Sequence, residues 1–269
     1  MQESLTIIKV GGAVVEDEQQ LSQLLNDFVA INGRKVLVHG GGRRATKVAA
    51  NLGIESKMVN GRRITDAQML EVVTMVYGGL VNKNLVAKLQ ANGINAIGLT
   101  GADANIMLSH KRPPVHYAAT ESQHAGQTID YGFVGDVDKA DGKILADFIE
   151  NGITPVIAPL THDGKGNILN TNADTIAAET AKALANYYST TLIYCFEKKG
   201  VLSNPDDDDS VISNITHADF EQYKADGTIA GGMIPKIENA LNAIDAGVSQ
   251  VIITRADAID GKHGTKITG

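Results

Sequence analysis

Short β-branched runs that alternate with longer amphipathic segments predict an α/β fold made of βαβ units, with a mostly parallel sheet and helices on both faces. Six candidate strands, six candidate helices and glycine clusters at their junctions carry that prediction. Residues 5–10 form the first strand and run into Gly11-Gly12. Residues 17–31 follow as a helix, because Leu21, Leu24, Leu25, Phe28 and Val29 recur at helical spacing. The strand 35–39 passes through Gly40-Gly41-Gly42 into a helix over 43–52. Residues 66–91 read as one long helix, kinked at Gly78-Gly79. A strand over 94–99 comes next. Residues 100–135, with Pro113-Pro114 and short Val/Ile/Tyr fragments, read as hairpins appended to the main sheet. A helix over 138–150 and a strand over 153–158 precede the turn-rich stretch Gly164-Lys165-Gly166-Asn167, which suggests a domain boundary near 155–170. The helix 174–187 and strand 191–196 lead to four consecutive acids, Asp206 to Asp209, read as a solvated loop. Last come a helix over 235–246, with Pro235 in its first turn, and a strand over 250–254. On that helix Ile237, Leu241, Ile244 and Val248 share one face.

Composition narrows the function. The chain has 269 residues, 43% apolar and 20% charged, which describes an ordered globular protein of two domains or one large one. The single Cys195 cannot form an intrachain disulfide and points to a reducing compartment. No basic leader precedes the first strand and no apolar run approaches about 18 residues, so a cytoplasmic protein is expected. A net charge of −7 argues against a dedicated nucleic-acid binder. That charge is uneven. Between Gly33 and Asp66 eight basic residues face two acidic ones, a balance of +6, which leaves −13 for the rest.

The 28 glycines are partly concentrated where that positive stretch could meet an anion. Gly11-Gly12 and Gly40-Gly41-Gly42 end strands; Gly231-Gly232 precedes a helix. Glycine lets the backbone approach a ligand and turn its N–H groups inward, and a helix N-terminus adds partial positive charge there. Plain turn chemistry accounts for any one cluster; three together favour phosphate or carboxylate binding. No G-x-x-x-x-G-K-[ST] occurs, so this is not a P-loop protein. Gly40 to Ala45 fits a loose dinucleotide pattern, but the segment where a ribose-binding acid belongs is basic, Arg62-Arg63. Arg63 is the residue best suited to clamp a carboxylate bidentately. The histidines (His39, His110, His116, His124, His162, His217, His263) show no metal-binding spacing. His39 reads as a packed hydrogen-bonding residue rather than a general base.

Five pieces occur in order: Lys9-Val10-Gly11-Gly12, Val38-His39-Gly40-Gly41-Gly42, Asn60-Gly61-Arg62-Arg63-Ile64-Thr65, Asn170-Thr171-Asn172-Ala173-Asp174 and Gly231-Gly232-Met233-Ile234-Pro235-Lys236. The chain resembles the amino acid kinase family, and within it the branch that phosphorylates N-acylated glutamate. The resemblance implies a three-layer αβα sandwich, with residues 1–158 binding the acyl-amino acid and dimerising and residues 159–269 binding ATP. It implies phosphoryl transfer from ATP to the side-chain carboxylate of N-acetyl-L-glutamate, the second step of arginine synthesis. Lys9 and Lys236 then flank the transferring group, Gly12 and Gly41 donate backbone N–H groups to it, and Asp174 orients both lysines. Gly40, Gly41, Arg63, Asn170 and Asn172 contact the acyl-amino acid. Lys9, Gly11, Gly12, Glu197, Gly232, Met233 and Lys236 contact ATP. Mg²⁺ arrives with ATP, with no dedicated protein metal site, and the segment 66–91 crosses its twin in a homodimer.

Physical chemistry agrees with that cast. A glutamate carboxylate is already ionised at pH 7, its reference pKa being about 4.3, so no general base is needed. The obstacle is two anions meeting, and positioned positive charge answers it. Where the family usually reads T-D-V-x-G-V, this chain has Cys195-Phe196-Glu197-Lys198-Lys199-Gly200-Val201, with Glu197, one methylene longer, in place of the Asp. No helix precedes Leu5, so feedback inhibition by arginine is not expected. The alternatives are the same reaction on N-succinyl-L-glutamate, favoured by the basic surplus around Arg62, and a nonenzymatic amino-acid or nucleotide sensor with this fold.

Overall fold

The computed structural model describes residues 2–117 and 126–269; of the residues singled out above, His124 lies outside them. The chain opens with β1 (Ser4–Val10), the short α1 (Gly12–Glu16) and α2 (Glu18–Ala30). Asp17 caps α2 by accepting from the Gln19 and Gln20 backbone N–H groups, each at 3.0 Å. Next come β2 (Arg34–His39), α3 (Gly42–Asn51) and a hairpin of β3 (Met58–Val59) and β4 (Arg62–Arg63). Asn60 and Gly61 form its tip, both at positive φ (47° and 73°), as a two-residue Asn-Gly turn requires.

The expected helix over 66–91 is three pieces: α4 (Ala67–Val73), a π-helix (Thr74–Val81) and α5 (Asn82–Ala91). Gly78-Gly79 sits inside the π-helical turns, so the glycines accompany a widened helix rather than a simple kink. Strand β5 (Ala96–Leu99) then leads, through a 3₁₀ turn (Asp103–Asn105), to β6 (Met107–Lys111), β7 (Val115–His116), β8 (Thr128–Ile129) and β9 (Gly135–Ala140). Helix α6 (Gly142–Glu150) starts four residues later than expected, because residues 138–140 belong to β9, where Lys139 and Ala140 pair with β6, and Asp141 is the cap, accepting from the Ile144 N–H at 3.1 Å.

Strands β10 (Thr154–Ile157), β11 (Leu160–His162) and β12 (Ile168–Asn170) follow. The stretch Gly164 to Asn167 closes the β11–β12 hairpin, with Asp163 accepting from the Lys165 and Asn167 N–H groups. The rest is α7 (Ala173–Leu184), β13 (Ser189–Phe196), β14 (Asn214–Ile215), α8 (His217–Ala225), α9 (Met233–Asp245), β15 (Gln250–Arg255) and β16 (Thr265–Ile267). Neither α8 nor β14, β16 and α1 was expected: the last three are short, and α8 buries only Phe220 and so carries no apolar stripe. The Asp206 to Asp209 run is exposed, with Lys198 and Lys199 paired to Asp208 and Asp209.

Eight strands form one sheet in the order β14-β16-β15-β13-β1-β2-β10-β5, parallel except where β15 meets β16. Residues 100–135 do not extend this sheet: β6 and β9 join β11 and β12 in a separate four-stranded sheet, and β7 pairs with β8. Two apolar cores flank the main sheet, giving three layers. Leu5, Ile7, Val36 and Leu192 pack on one face with α6, α7 and α9, while Ile8, Leu37 and Ile193 pack on the other with α2 to α5. Burying one such side chain contributes roughly 1.5–3 kcal/mol. Within the main sheet, strands from the first 158 residues and those from the remainder occupy opposite halves, meeting where β1 pairs with β13, whereas the four-stranded sheet mixes the two parts.

Candidate active site

The side chains of β1 alternate, so Lys9 shares the face of Leu5 and Ile7 and points to α7. There its ammonium pairs with Asp174 at 2.6 Å. Asp174 occupies the first turn of α7, where a carboxylate suits the macrodipole. Asn172 caps that helix, accepting from the Asp174 N–H at 2.7 Å, and the Tyr194 hydroxyl donates to the Asp174 carbonyl at 3.1 Å. Phe196, on the same face of β13, brings Lys236 of α9 into the group. The Lys236 Nζ lies 3.8 Å from the Phe196 ring centroid and the Lys9 Nζ 5.5 Å from it. Burial pulls the Lys236 pKa below the ordinary lysine range; Asp174 opposes the fall and Lys9 adds to it.

Beside the lysines, the two glycine loops face each other at the carboxyl ends of β1 and β2, where open α/β sheets bind ligands. The Gly40 N–H donates to the Val10 carbonyl at 2.9 Å. A Cβ on Gly12 would stand 3.4 Å from the Gly41 nitrogen and 3.5 Å from the Gly42 nitrogen, and one on Gly40 would stand 3.2 Å from the Gly12 nitrogen. Side chains there would fill the space before the amides. First-turn N–H groups of α1 and α3 have no intrahelical acceptor, which leaves them free for an anion.

Two cavities open from this point. One, about 530 Å³, is lined by Gly11, Gly12, Phe196, Glu197, Met233 and Lys236 among others. The other, about 200 Å³, is lined by Gly40, Gly41, Arg62, Arg63, Asn170 and Asn172 among others. Gly42 lines both. Arg63 is buried and donates through Nη2 to the Gly42 carbonyl (2.9 Å) and Thr46 Oγ1 (2.8 Å), and through Nη1 to Ser56 Oγ (2.8 Å). All three acceptors are neutral, so its charge is oriented but not cancelled. The Asn170 amide donates to Thr65 Oγ1 at 2.9 Å. Glu197 is exposed and pairs with Arg43 at 2.9 Å across the mouth of the larger cavity. Gly232 stands at the start of α9 and lines neither cavity. A cleft of about 800 Å³ over Thr6, Thr191 and Gln250 contains none of these residues.

The structure thus brings Lys9, Asp174, Lys236 and both glycine loops together, with Arg63, Asn170 and Asn172 on one side and Met233 and Glu197 on the other. Sequence reasoning missed Phe196 as the ring shared by the lysines. Its signal is register: Lys9 is the Cα partner of Tyr194 in the parallel β1–β13 pair, so Phe196 is on the Lys9 face. Tyr77 was missed too; its nearest ring carbon would lie 2.8 Å from a Cβ on Gly41, so the side chain floors that loop.

Two lysines that share the Phe196 ring, Lys236 on the wall of the larger cavity, with glycine amides alongside, suit phosphoryl transfer. The chain belongs to the amino acid kinase family, whose pattern matches residues 4–255. It is 66% identical over 267 residues to acetylglutamate kinase of Bacteroides thetaiotaomicron, the match spanning 99% of both chains. Among solved structures, smu.665 from Streptococcus mutans UA159 is 31% identical and superposes with a TM-score of 0.76 over 98% of each chain. N-acetylglutamate synthase from Neisseria gonorrhoeae, solved with coenzyme A and N-acetyl-glutamate, shares the fold at TM-score 0.78 and 20% identity, across all of this chain and 60% of that one.

Proposed function

We propose that the protein transfers the γ-phosphoryl group of ATP to the side-chain carboxylate of N-acetyl-L-glutamate, the second step of arginine biosynthesis. The observation that carries this reading is the 66% identity, across 99% of both chains, to a protein named acetylglutamate kinase. The geometry supports it: a small cavity with one oriented guanidinium and two amides suits an acyl-amino acid, and the larger one suits a nucleotide.

Lys9 and Lys236 hold positive charge where the two anions meet, and the Gly12 and Gly41 N–H groups meet the equatorial oxygens of the transferring group. Asp174 keeps the ammonium of Lys9 aimed and transfers no proton, because the acceptor is already a carboxylate. Arg63, Gly40, Asn170 and Asn172 hold the acyl-amino acid; Gly11, Glu197 and Met233 border the nucleotide, and Gly232 acts by starting the helix that carries Met233 and Lys236. Asp174 is already paired with Lys9, so Mg²⁺ is assigned to the incoming ATP rather than to a protein site. Residues 1–158 supply most of the acyl side and residues 159–269 most of the nucleotide side. Met75 and Leu80, apolar and exposed on the π-helix, support a homodimer across that segment. Among the described residues no helix is long and apolar enough to cross a membrane, and a cytoplasmic location is part of the reading.

Coupled ADP release tests it, with N-acetylglutamate as substrate and glutamate, carbamate, aspartate and UMP as controls. Turnover on N-acetylglutamate is expected, and loss of it in Lys9→Ala separates an enzyme from a sensor. No turnover on any N-acylglutamate overturns the reading. A specific observation keeps N-succinyl-L-glutamate in the assay: Arg62 lines the small cavity and, among the described residues, has no carboxylate within salt-bridge distance. A ratio of kcat/KM above one for the succinyl substrate decides for it.

A further inference from the structure

His39 and Asn82 form a buried relay behind the glycine loop. The Asn82 side-chain nitrogen is 2.9 Å from the Val156 carbonyl and 3.1 Å from His39 Nε2. His39 Nδ1 is 2.7 Å from the Gly40 carbonyl. These contacts fix every proton. A carbonyl can only accept, so Asn82 presents its NH₂ to Val156 and turns its second N–H to His39. Nε2 therefore accepts, the ring proton sits on Nδ1, and Nδ1–H donates to the Gly40 carbonyl. Both side chains are fully buried, and burial lowers the His39 pKa to about 4, which keeps the ring neutral.

The Gly40 carbonyl and the Gly41 N–H belong to one trans peptide and point in opposite directions. Drawing the carbonyl back to His39 turns the Gly41 N–H forward, to the space between the two loops. Among the described residues no protein acceptor meets that N–H. The Gly40 N–H is tied to Val10, so the loop is held on both sides of Gly40. Asn82 follows directly on the π-helix, whose widened turns set its phase, and Gly98 leaves it room: a Cβ there would lie 1.9 Å from Asn82 Oδ1.

We propose that His39 is a positioning residue for phosphoryl transfer: as the Nδ1–H tautomer set by Asn82, it orients the Gly40–Gly41 peptide so that the Gly41 N–H meets the transferring group. This rests on the kinase reading for its catalytic part and on geometry alone for the tautomer. Two measurements test it. Long-range ¹H–¹⁵N NMR of the wild-type protein reads the His39 tautomer whether or not the protein turns over, and needs no variant to fold. The Nδ1–H form is expected from pH 6 to 8; the Nε2–H form overturns the proposal. The second measurement compares His39→Asn, whose amide can donate from the position of Nδ1, with His39→Gln, whose amide reaches the position of Nε2. His39→Gln is expected to lower kcat about 100-fold, the scale of losing one preorganised donor, with both KM values within about threefold of wild type. His39→Asn is expected to recover most of that loss at equal or lower melting temperature. Equal losses in the two variants, or a loss carried by KM, overturn the proposal. An inactive wild type overturns the kinase reading instead, and the tautomer still judges the relay.

Discussion

The cavity around Arg63 and the cavity around Glu197 meet at Gly42, yet each holds its charge differently. Arg63 is 8% exposed and donates to three neutral oxygens within 2.9 Å. Arg43 and Glu197, at the mouth of the other cavity, have side chains 64% and 75% exposed and satisfy mainly each other. A buried guanidinium whose partners are neutral keeps its full charge and fixed direction before a ligand arrives. An exposed ion pair must give up solvent and rotamer freedom at the moment of binding. On the proposed reading, recognition of the acyl-amino acid is built into the fold, whereas nucleotide contacts at the rim form late and weakly. The same reading assigns the two lysines to the point where these regimes meet.

The largest effect belongs to that meeting point. Lys9→Ala removes the ammonium paired to Asp174 at 2.6 Å and strands a carboxylate that is 19% exposed. A fall in kcat of about 10³-fold is expected, measured by ADP release, with the melting temperature tracked in parallel. Activity within tenfold of wild type would place the transferring group elsewhere. Arg63→Lys comes next, since an ammonium cannot reproduce the fork to Gly42, Thr46 and Ser56. The KM for N-acetylglutamate is expected to rise about 10- to 100-fold, matching 1.5–3 kcal/mol for charge-assisted hydrogen bonds, with the KM for ATP nearly unchanged. Equal rises in both constants would dissolve the contrast between the cavities.

The same contrast explains what the sequence disclosed. Lys9, Asp174, Lys236 and the glycine loops are tied to element ends: strand exits after Val10 and His39, and the first turns of α7 and α9. Element ends are marked by glycine, proline and capping residues, so they are legible one segment at a time. The six main-sheet strands between them were legible for the same reason, through β-branched runs bounded by such signals. Phe196, Tyr77 and Asn82 act through register and helix phase. No local pattern announces that Tyr194 pairs with Lys9, or that residues 74–81 widen into π-helical turns. Region 100–135 misled because β6 pairs with β9 on one side and with β11, about 50 residues away, on the other, rather than with the main sheet.

Lys236 gives the pH dependence. In the proposed reaction it acts as a cation, and burial lowers its pKa from the ordinary lysine value. Below that lowered pKa the ammonium is present; as pH rises through it the charge is lost, so kcat/KM should fall on the alkaline side earlier than an exposed lysine would dictate. Each pH unit beyond the pKa costs about tenfold. Lys236→Arg should abolish that limb because a guanidinium stays protonated. A limb that persists in Lys236→Arg belongs to another group.

The smallest effect is expected at the open rim. Glu197→Ala breaks the pair with Arg43, and exposed pairs contribute about 0–1 kcal/mol. The KM for ATP should change by less than about fivefold, with the difference shrinking at high salt as screening weakens what is left. Removing Glu197 also frees Arg43 beside Gly12 and Gly42 on the wall of the larger cavity, where an unpaired guanidinium attracts phosphate. The sign of the change is thus informative. A lower KM means the pair holds Arg43 away from the nucleotide; a higher one means Glu197 itself touches it. A change beyond tenfold in either direction would show that the rim is as ordered as the Arg63 side, and the distinction between the two cavities would fail there.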